Sequence, residues 1–206
     1  MKYYLSSFKI GNQVDKLKKL VPNNKKFAYI SNALDFSTDL ERRTESEKSD
    51  INDLENLDFI VEPVDLRKYF NEPEKLKNKI KEFGTIWVRG GNVFVLRQAM
   101  KLSGFDNLLK DLGKTDDILY GGYSAGICVL APNLKGLELV DDATQKPYKD
   151  QSEVIWEGLN ILNYAIAPHY KSNHPESEDI NKVVNYYIKN KILFKALLDG
   201  EVIVIE

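Results

Sequence analysis

The sequence predicts an α/β fold, one domain built on a mostly parallel sheet flanked by helices. Three observations predict it. Short apolar runs alternate with stretches of helical periodicity along most of the chain. The runs show little polar alternation, as expected of parallel strands covered on both faces. At 206 residues, 43% hydrophobic and 29% charged, the chain suffices for one sizeable core, and no linker, repeat or low-complexity tract divides it.

The elements follow in order. Lys2–Ser6 reads as a strand, then Val14, Leu17, Leu20 and Val21 recur at helical spacing, then Lys26–Ser31 reads as a second strand. Ser37–Asn56 is rich in charge and poor in large apolar residues until Ile51 and Leu54. A solvated helix is expected there, with a mobile loop as the alternative. Leu57–Glu62 is an apolar run stopped by Pro63, and Glu74–Phe83 is helical. Thr85–Val88 is a strand that precedes Gly90-Gly91, followed by helices over Val93–Leu102 and Phe105–Leu112. Asp117–Tyr120 runs into Gly121-Gly122, and Tyr164–Ala167 stops at Pro168. Asp179–Lys191 carries Ile180, Val183, Val184, Tyr187 and Ile188 on one stripe, and Val202–Ile205 is the last strand.

Composition narrows the function. A net charge of −2 with both signs interspersed leaves no basic footprint for nucleic acid. One Cys and two His exclude a Cys-built zinc site and an intrachain disulfide. No metal or organic cofactor is expected. The N-terminal stretch lacks the apolar core of a signal peptide, and no run approaches the roughly 18 to 20 apolar residues of a membrane span. The cytoplasm is therefore the expected address, without a membrane partner, and the oligomeric state is left open.

The strongest local signal is Gly122-Tyr123-Ser124-Ala125-Gly126, entered by a buried strand and left by a small apolar helix. This is G-x-S-x-G in the strand–turn–helix setting of a nucleophile elbow. A nucleophile at the top of so tight a turn needs small neighbours, hence Gly122, Ala125 and Gly126. The helix that follows points its free N–H groups at the site, so the Ala125 N–H is the first candidate oxyanion donor. The plainer reading makes Ser124 the cap of a buried helix. In Trp87-Val88-Arg89-Gly90-Gly91-Asn92 another strand opens into a helix. Gly91 is the candidate second oxyanion donor; Asn92 is either a substrate contact or simply an N-cap. No Lys-Ser or Lys-Thr follows these glycines, which argues against a phosphate loop.

Strand C-termini converge on the site in open α/β sheets, so His169, just after an apolar strand, is the expected general base. His174, in a polar loop, is the alternative, or lines the substrate cleft. The orienting carboxylate is open between Asp199, in a Leu-Asp-Gly turn before the last strand, and Asp141 or Asp142. Tyr123 and Tyr170 flank the proposed catalytic residues and are candidates for the pocket wall. Cys128, about one turn into the helix, reads as core rather than as a rival nucleophile.

Gly90-Gly91-Asn92, Gly122-Tyr123-Ser124-Ala125-Gly126, Pro168-His169-Tyr170 and Asp199-Gly200 occur in an order that resembles peptidase family S51, which includes aspartyl dipeptidase and cyanophycinase. The resemblance spans nearly the whole chain. It implies a fold like class I glutamine amidotransferases, a Ser–His–Glu triad in that order, and small-peptide substrates. Carried over, it selects Ser124 and His169 and puts the acid at Asp199, an Asp where the family has Glu; Glu201 is the fallback. In aspartyl dipeptidase an Arg after the histidine motif is associated with the substrate's acidic side chain. Here Ser172–Ile180 has no Arg but has Glu176, Glu178 and Asp179, so this loop is expected to favour a cationic group, with Glu176 as a substrate contact. The competing readings are an esterase at the same serine and a catalytically silent binding protein on the same fold.

Overall fold

A computed structural model describes residues 1–114, 117–149, 151 and 153–206 of the chain. Its centre is a six-stranded sheet in the order β3-β2-β4-β5-β1-β8, made of β1 (Lys2–Ser6), β2 (Lys26–Ile30), β3 (Ile60–Pro63), β4 (Thr85–Val88), β5 (Leu119–Tyr123) and β8 (Val202–Ile205). All neighbours are parallel except β8, which runs antiparallel to β1. A separate parallel pair joins β6 (Ala165–Ala167) to β7 (Phe194–Ala196). The strand before His169 is thus outside the main sheet. The sequence signal for β7 is weak, because only three residues pair and an exposed Lys195 stands in the middle.

Both sheet faces are covered, which is why the central strands lack polar alternation. Tyr4, Phe27, Tyr29, Trp87 and Tyr123 point to one face, where Leu17 and Leu20 of α1 (Val14–Leu20) and Leu54 of α2 (Leu40–Glu55) meet them. Leu5, Ala28, Ile30, Ile86 and Val88 point to the other. There they join a larger core with α3 (Pro73–Ile80), α4 (Val93–Ser103), α5 (Phe105–Leu112), α6 (Ala125–Cys128) and α7 (Ser177–Lys189). The edge strands β3 and β8 are only partly buried.

Several boundaries differ from expectation for local reasons. The charged segment is the solvated helix α2, capped by Asp39, whose side chain accepts a bond from Arg42 N. Leu57 and Asp58 belong to its C-terminal turn, with Asp58 at φ 65°, so β3 starts three residues later than the apolar run. Pro63 ends β3 as its last residue, tolerated because β3 is an edge strand. β5 continues through Gly121 and Gly122 to Tyr123, because the glycines let it pass close to β4. A Cβ on Gly121 would lie 2.5 Å from the Trp87 ring, and one on Gly122 would lie 2.2 Å from the Val88 carbonyl oxygen.

That last contact is to backbone and cannot be relieved by rotating a side chain. Gly122→Ala is expected to destabilise the fold by about 3 kcal/mol or more, seen as a thermal midpoint lowered by roughly 5–10 °C. An unchanged midpoint would mean that the β4–β5 spacing is softer than this geometry implies.

Candidate active site

The parallel strands end on one side of the sheet. Register pairs Gly122 with Leu5 on one flank and with Val88 on the other. The residues just beyond these strand ends, Ser7, Ser124 and Arg89–Gly91, are thereby gathered together.

Ser124 sits at φ 50°, ψ −120°, a conformation L residues rarely hold, at the junction of β5 and α6. Three contacts enforce it. A Cβ on Gly126 would lie 2.1 Å from the Val88 carbonyl oxygen, and one on Gly90 would lie 2.8 Å from the Ser124 Cβ. The Tyr120 hydroxyl donates to the Gly126 carbonyl at 2.6 Å and ties α6 back to β5. Ser124 faces a cavity of 490 Å³ shared with Gly91, Tyr123, His169, His174 and Glu176. A second, much smaller niche on its other side is bordered by Ala125, Asp141 and Glu176. Ala125 is the first residue of α6, where an N–H has no intrahelical acceptor.

His169 follows β6 at φ 59° and is 1% exposed. Its Nδ1 is 2.7 Å from Asp199 Oδ1. Asp199 arrives there because the β6–β7 pairing is prolonged by bonds from Leu197 N to the Ala167 carbonyl and from Tyr170 N to the Leu197 carbonyl, both 2.9 Å. Gly200, at φ 93°, then turns the chain into β8. Glu201 faces away and its carboxylate accepts from Leu198 N. Among the described residues no hydrogen bond joins Ser124 to His169. The imidazole instead stacks on His174, with centroids 3.7 Å apart and planes 8° apart, and its Nε2 is 3.9 Å from Glu176 Oε2. Burial away from water, and then the nearby His174, lower the pKa of His169, against the raising effect of Asp199.

Other expected site residues have different tasks. Asn92 is the N-cap of α4: its Oδ1 accepts from Phe94 N and Val95 N, and its Nδ2 donates to the Asp142 carbonyl. Tyr170 borders neither cavity, and Lys171 Nζ lies 5.2 Å from its ring centre. Asp142 caps its own turn through Thr144. Asp141 Oδ2 accepts from Val93 N, at the start of α4. Cys128 is buried, which pushes its thiol pKa well up and leaves it core rather than nucleophile. His169, His174 and Glu176 could bring ligand atoms within 4.8 Å of one another. The two rings are stacked, however, so their nitrogen lone pairs run side by side instead of converging on an ion.

Two supports were missed in the sequence. Ser7 is fully buried; its Oγ accepts from His169 N at 2.8 Å and donates to Asp199 Oδ1 at 3.0 Å. Its signal is a small polar residue just past the end of a buried strand. Asp50 of α2 is 5% exposed, and its Oδ2 accepts from Tyr29, Tyr123 and Arg89. Its signal is a carboxylate one helical turn before Leu54, on the apolar stripe.

The model of peptidase family S51 matches residues 8–206. An uncharacterized peptidase of Listeria monocytogenes is 31% identical over 137 residues, 65% of this chain and 62% of that protein. One from Pasteurella multocida is 29% identical over 116 residues, 55% of this chain and 52% of that protein. The chain thus spans less than two thirds of the length of these curated relatives. A crystal structure provisionally assigned to peptidase E, from Listeria monocytogenes, aligns over 100% of this chain and 98% of its own, with a TM-score of 0.73 and 24% identity. A peptidase from an acI-B1 actinobacterium aligns over 100% and 83%, with a TM-score of 0.68 and 16% identity. These two bear on the fold, an α/β sandwich of the same kind.

Two predictions come from this geometry. Ser7→Ala removes the partner of a buried N–H and is expected to cost about 1–3 kcal/mol in chemical denaturation; no loss would show that the His169 turn holds itself. Asp141 is also informative. Burial pushes its carboxyl up to about 7, against the Val93 N–H bond and with help from Glu176. The folded state therefore keeps a proton that the unfolded chain releases near pH 4, and this contribution makes stability fall as pH rises from about 4 to 7. Asp141→Asn is expected to flatten that fall in thermal unfolding scans; an unaltered slope would refute the shift.

Proposed function

The chain belongs to peptidase family S51, and from that membership and the site geometry we propose that it is a serine-type peptidase cleaving small peptides through an acyl-enzyme. The observation that carries the reading is the pairing of His169 Nδ1 with Asp199 Oδ1 at 2.7 Å, beside a serine held at φ 50° over the same cavity. Asp199 stands where the family has Glu, and its place 2.7 Å from the ring supports giving it the acid's role.

In the proposed reaction Asp199 keeps the His169 proton on Nδ1 and leaves Nε2 as the base. Nε2 takes the Ser124 hydroxyl proton as Oγ bonds to the amide carbon. The oxyanion is held by the N–H groups of Ala125 and Gly91. His169 then gives the proton to the leaving amine as the C–N bond breaks, and water repeats the steps on the ester. Nε2 must swing from its place near Glu176 toward Ser124, a tightening of the kind substrate binding brings about.

The missing bond between Ser124 and His169 is also the one observation that favours the second reading, a silent binding protein. Reaction with a fluorophosphonate separates the two. Modification is expected at Ser124, absent in Ser124→Ala, and slowed by as much as about 10⁴-fold in Asp199→Asn. Because the pKa of His169 is lowered, the acid limb of the labelling rate is expected below pH 6.5, the ordinary imidazole value. Folded protein that does not label would favour the silent scaffold.

A further inference from the structure

We propose that His174 is a positioning residue for the candidate base: stacked face to face on His169, it fixes the plane of that imidazole, and the pair admits one positive charge at a time. The inference rests on the reading of His169 as the base, but its test needs no reactive serine.

With centroids 3.7 Å apart and planes 8° apart, the two rings touch over a whole face. Phe8 meets both of them edge to face, its ring centre 5.7 Å from that of His169 and 5.3 Å from that of His174. The loop that carries His174 is tied at both ends. The His174 carbonyl accepts from Ser177 N at 3.0 Å, where α7 begins. Ser177 Oγ accepts from Ser172 N at 3.1 Å, and Ser172 Oγ accepts from Asp199 N at 2.7 Å. The stack is therefore coupled to the turn that holds the candidate acid. His174 Nδ1 accepts from Glu176 N at 3.2 Å, which needs a bare nitrogen and puts the His174 proton on Nε2. With the His169 proton on Nδ1 against Asp199, both rings are neutral in this arrangement.

A flat neutral face opposes tilting of the imidazole and leaves its edge nitrogens free, so Nδ1 stays aimed at Asp199. Two imidazolium charges in contact, away from bulk water, would repel, so a proton on one ring disfavours a proton on the other. The lowered pKa of His169 agrees with this, burial being its largest cause and His174 the next. The acids around the pair are Asp199 from the turn before β8 and Glu176 from the same loop, with Asp179 of α7 and Asp141 acting on Glu176 or beside it. From β1 come the uncharged Ser7 and Phe8. Across the cavity stand Asp39, Arg42 and Arg43 of the α2 end, and Arg89 and Tyr123, both bonded to Asp50. In the proposed reaction the imidazolium forms on His169. A neutral His174 is then the competent neighbour, and a protonated one opposes the step.

The test is an NMR titration of the imidazoles, of which the chain has only two. His174→Phe leaves His169 beside a flat ring that cannot charge, and His169→Phe does the same for His174. By linkage, repulsion within the pair makes the two wild-type midpoints sum to less than the midpoints of the two single variants, whichever ring is charged first. A deficit of at least about one pH unit is expected for charges in contact; no deficit would overturn the proposal. The holding of the ring has its own readout, which needs only His174 variants. The Nδ1 proton of His169, bonded to Asp199, is expected as a sharp downfield line in the wild type and in His174→Phe. It is expected to broaden away in His174→Asn, which keeps an acceptor for Glu176 N but has no ring. A line equally sharp in His174→Asn, or lost equally from both variants, would overturn the proposal. The deficit in a wild type that never reacts with fluorophosphonate would keep the pair and remove the peptidase reading; reaction at Ser124 without the deficit would do the reverse.

Discussion

The carbonyl oxygen of Val88 is the fixed point around which the site is built. Two different glycines pass it, Gly122 at the end of β5 and Gly126 inside α6, each so close that a Cβ would lie within 2.2 Å of it. The chain can turn from strand to helix in so few residues only because nothing projects there. That turn forces Ser124 to positive φ, lifts its side chain above the sheet and leaves the Ala125 N–H free. Loosening this contact would release the strain that presents the serine.

Two buried polar networks hold what surrounds that turn. On the β1 side, Ser7 bridges the backbone of His169 and the carboxylate of Asp199. On the β4 side, Asp50 gathers Tyr29, Tyr123 and Arg89. Each brings together segments distant in sequence. His169 Nε2 lies 3.9 Å from Glu176 Oε2, and Arg89 Nη1 stays buried without a partner. Such networks cost little when satisfied and fix geometry well, so the His169 ring and the Arg89 guanidinium are held in place.

The central strands and the elbow were legible because their causes are local. Apolar runs without alternation mark doubly covered strands, and glycines at fixed offsets mark the turn. Asp199 was distinguished from Asp141 and Asp142 only by resemblance, since nothing local says which carboxylate a distant β6–β7 pairing will carry to a histidine. β7 itself was hidden, three residues long and exposed in the middle. Asn92 was open as cap or contact, with the cap the better local reading, and its Oδ1 does accept from the first turn of α4. Asp50 and Ser7 were missed for one shared reason: each is ordinary in its own segment and acquires meaning only from a partner 39 or 162 residues away.

The position of Asp199 ties the candidate site to the order of synthesis. Ser7 and Asp199 are 192 residues apart, and the turn that holds the carboxylate is anchored by β8 pairing with β1. A chain still emerging from the ribosome has Ser7 and His169 before it has Asp199, and β8, which anchors that turn, comes last. Closing so long a loop is slow compared with local folding, so the pair of His169 and Asp199 is expected to be completed late.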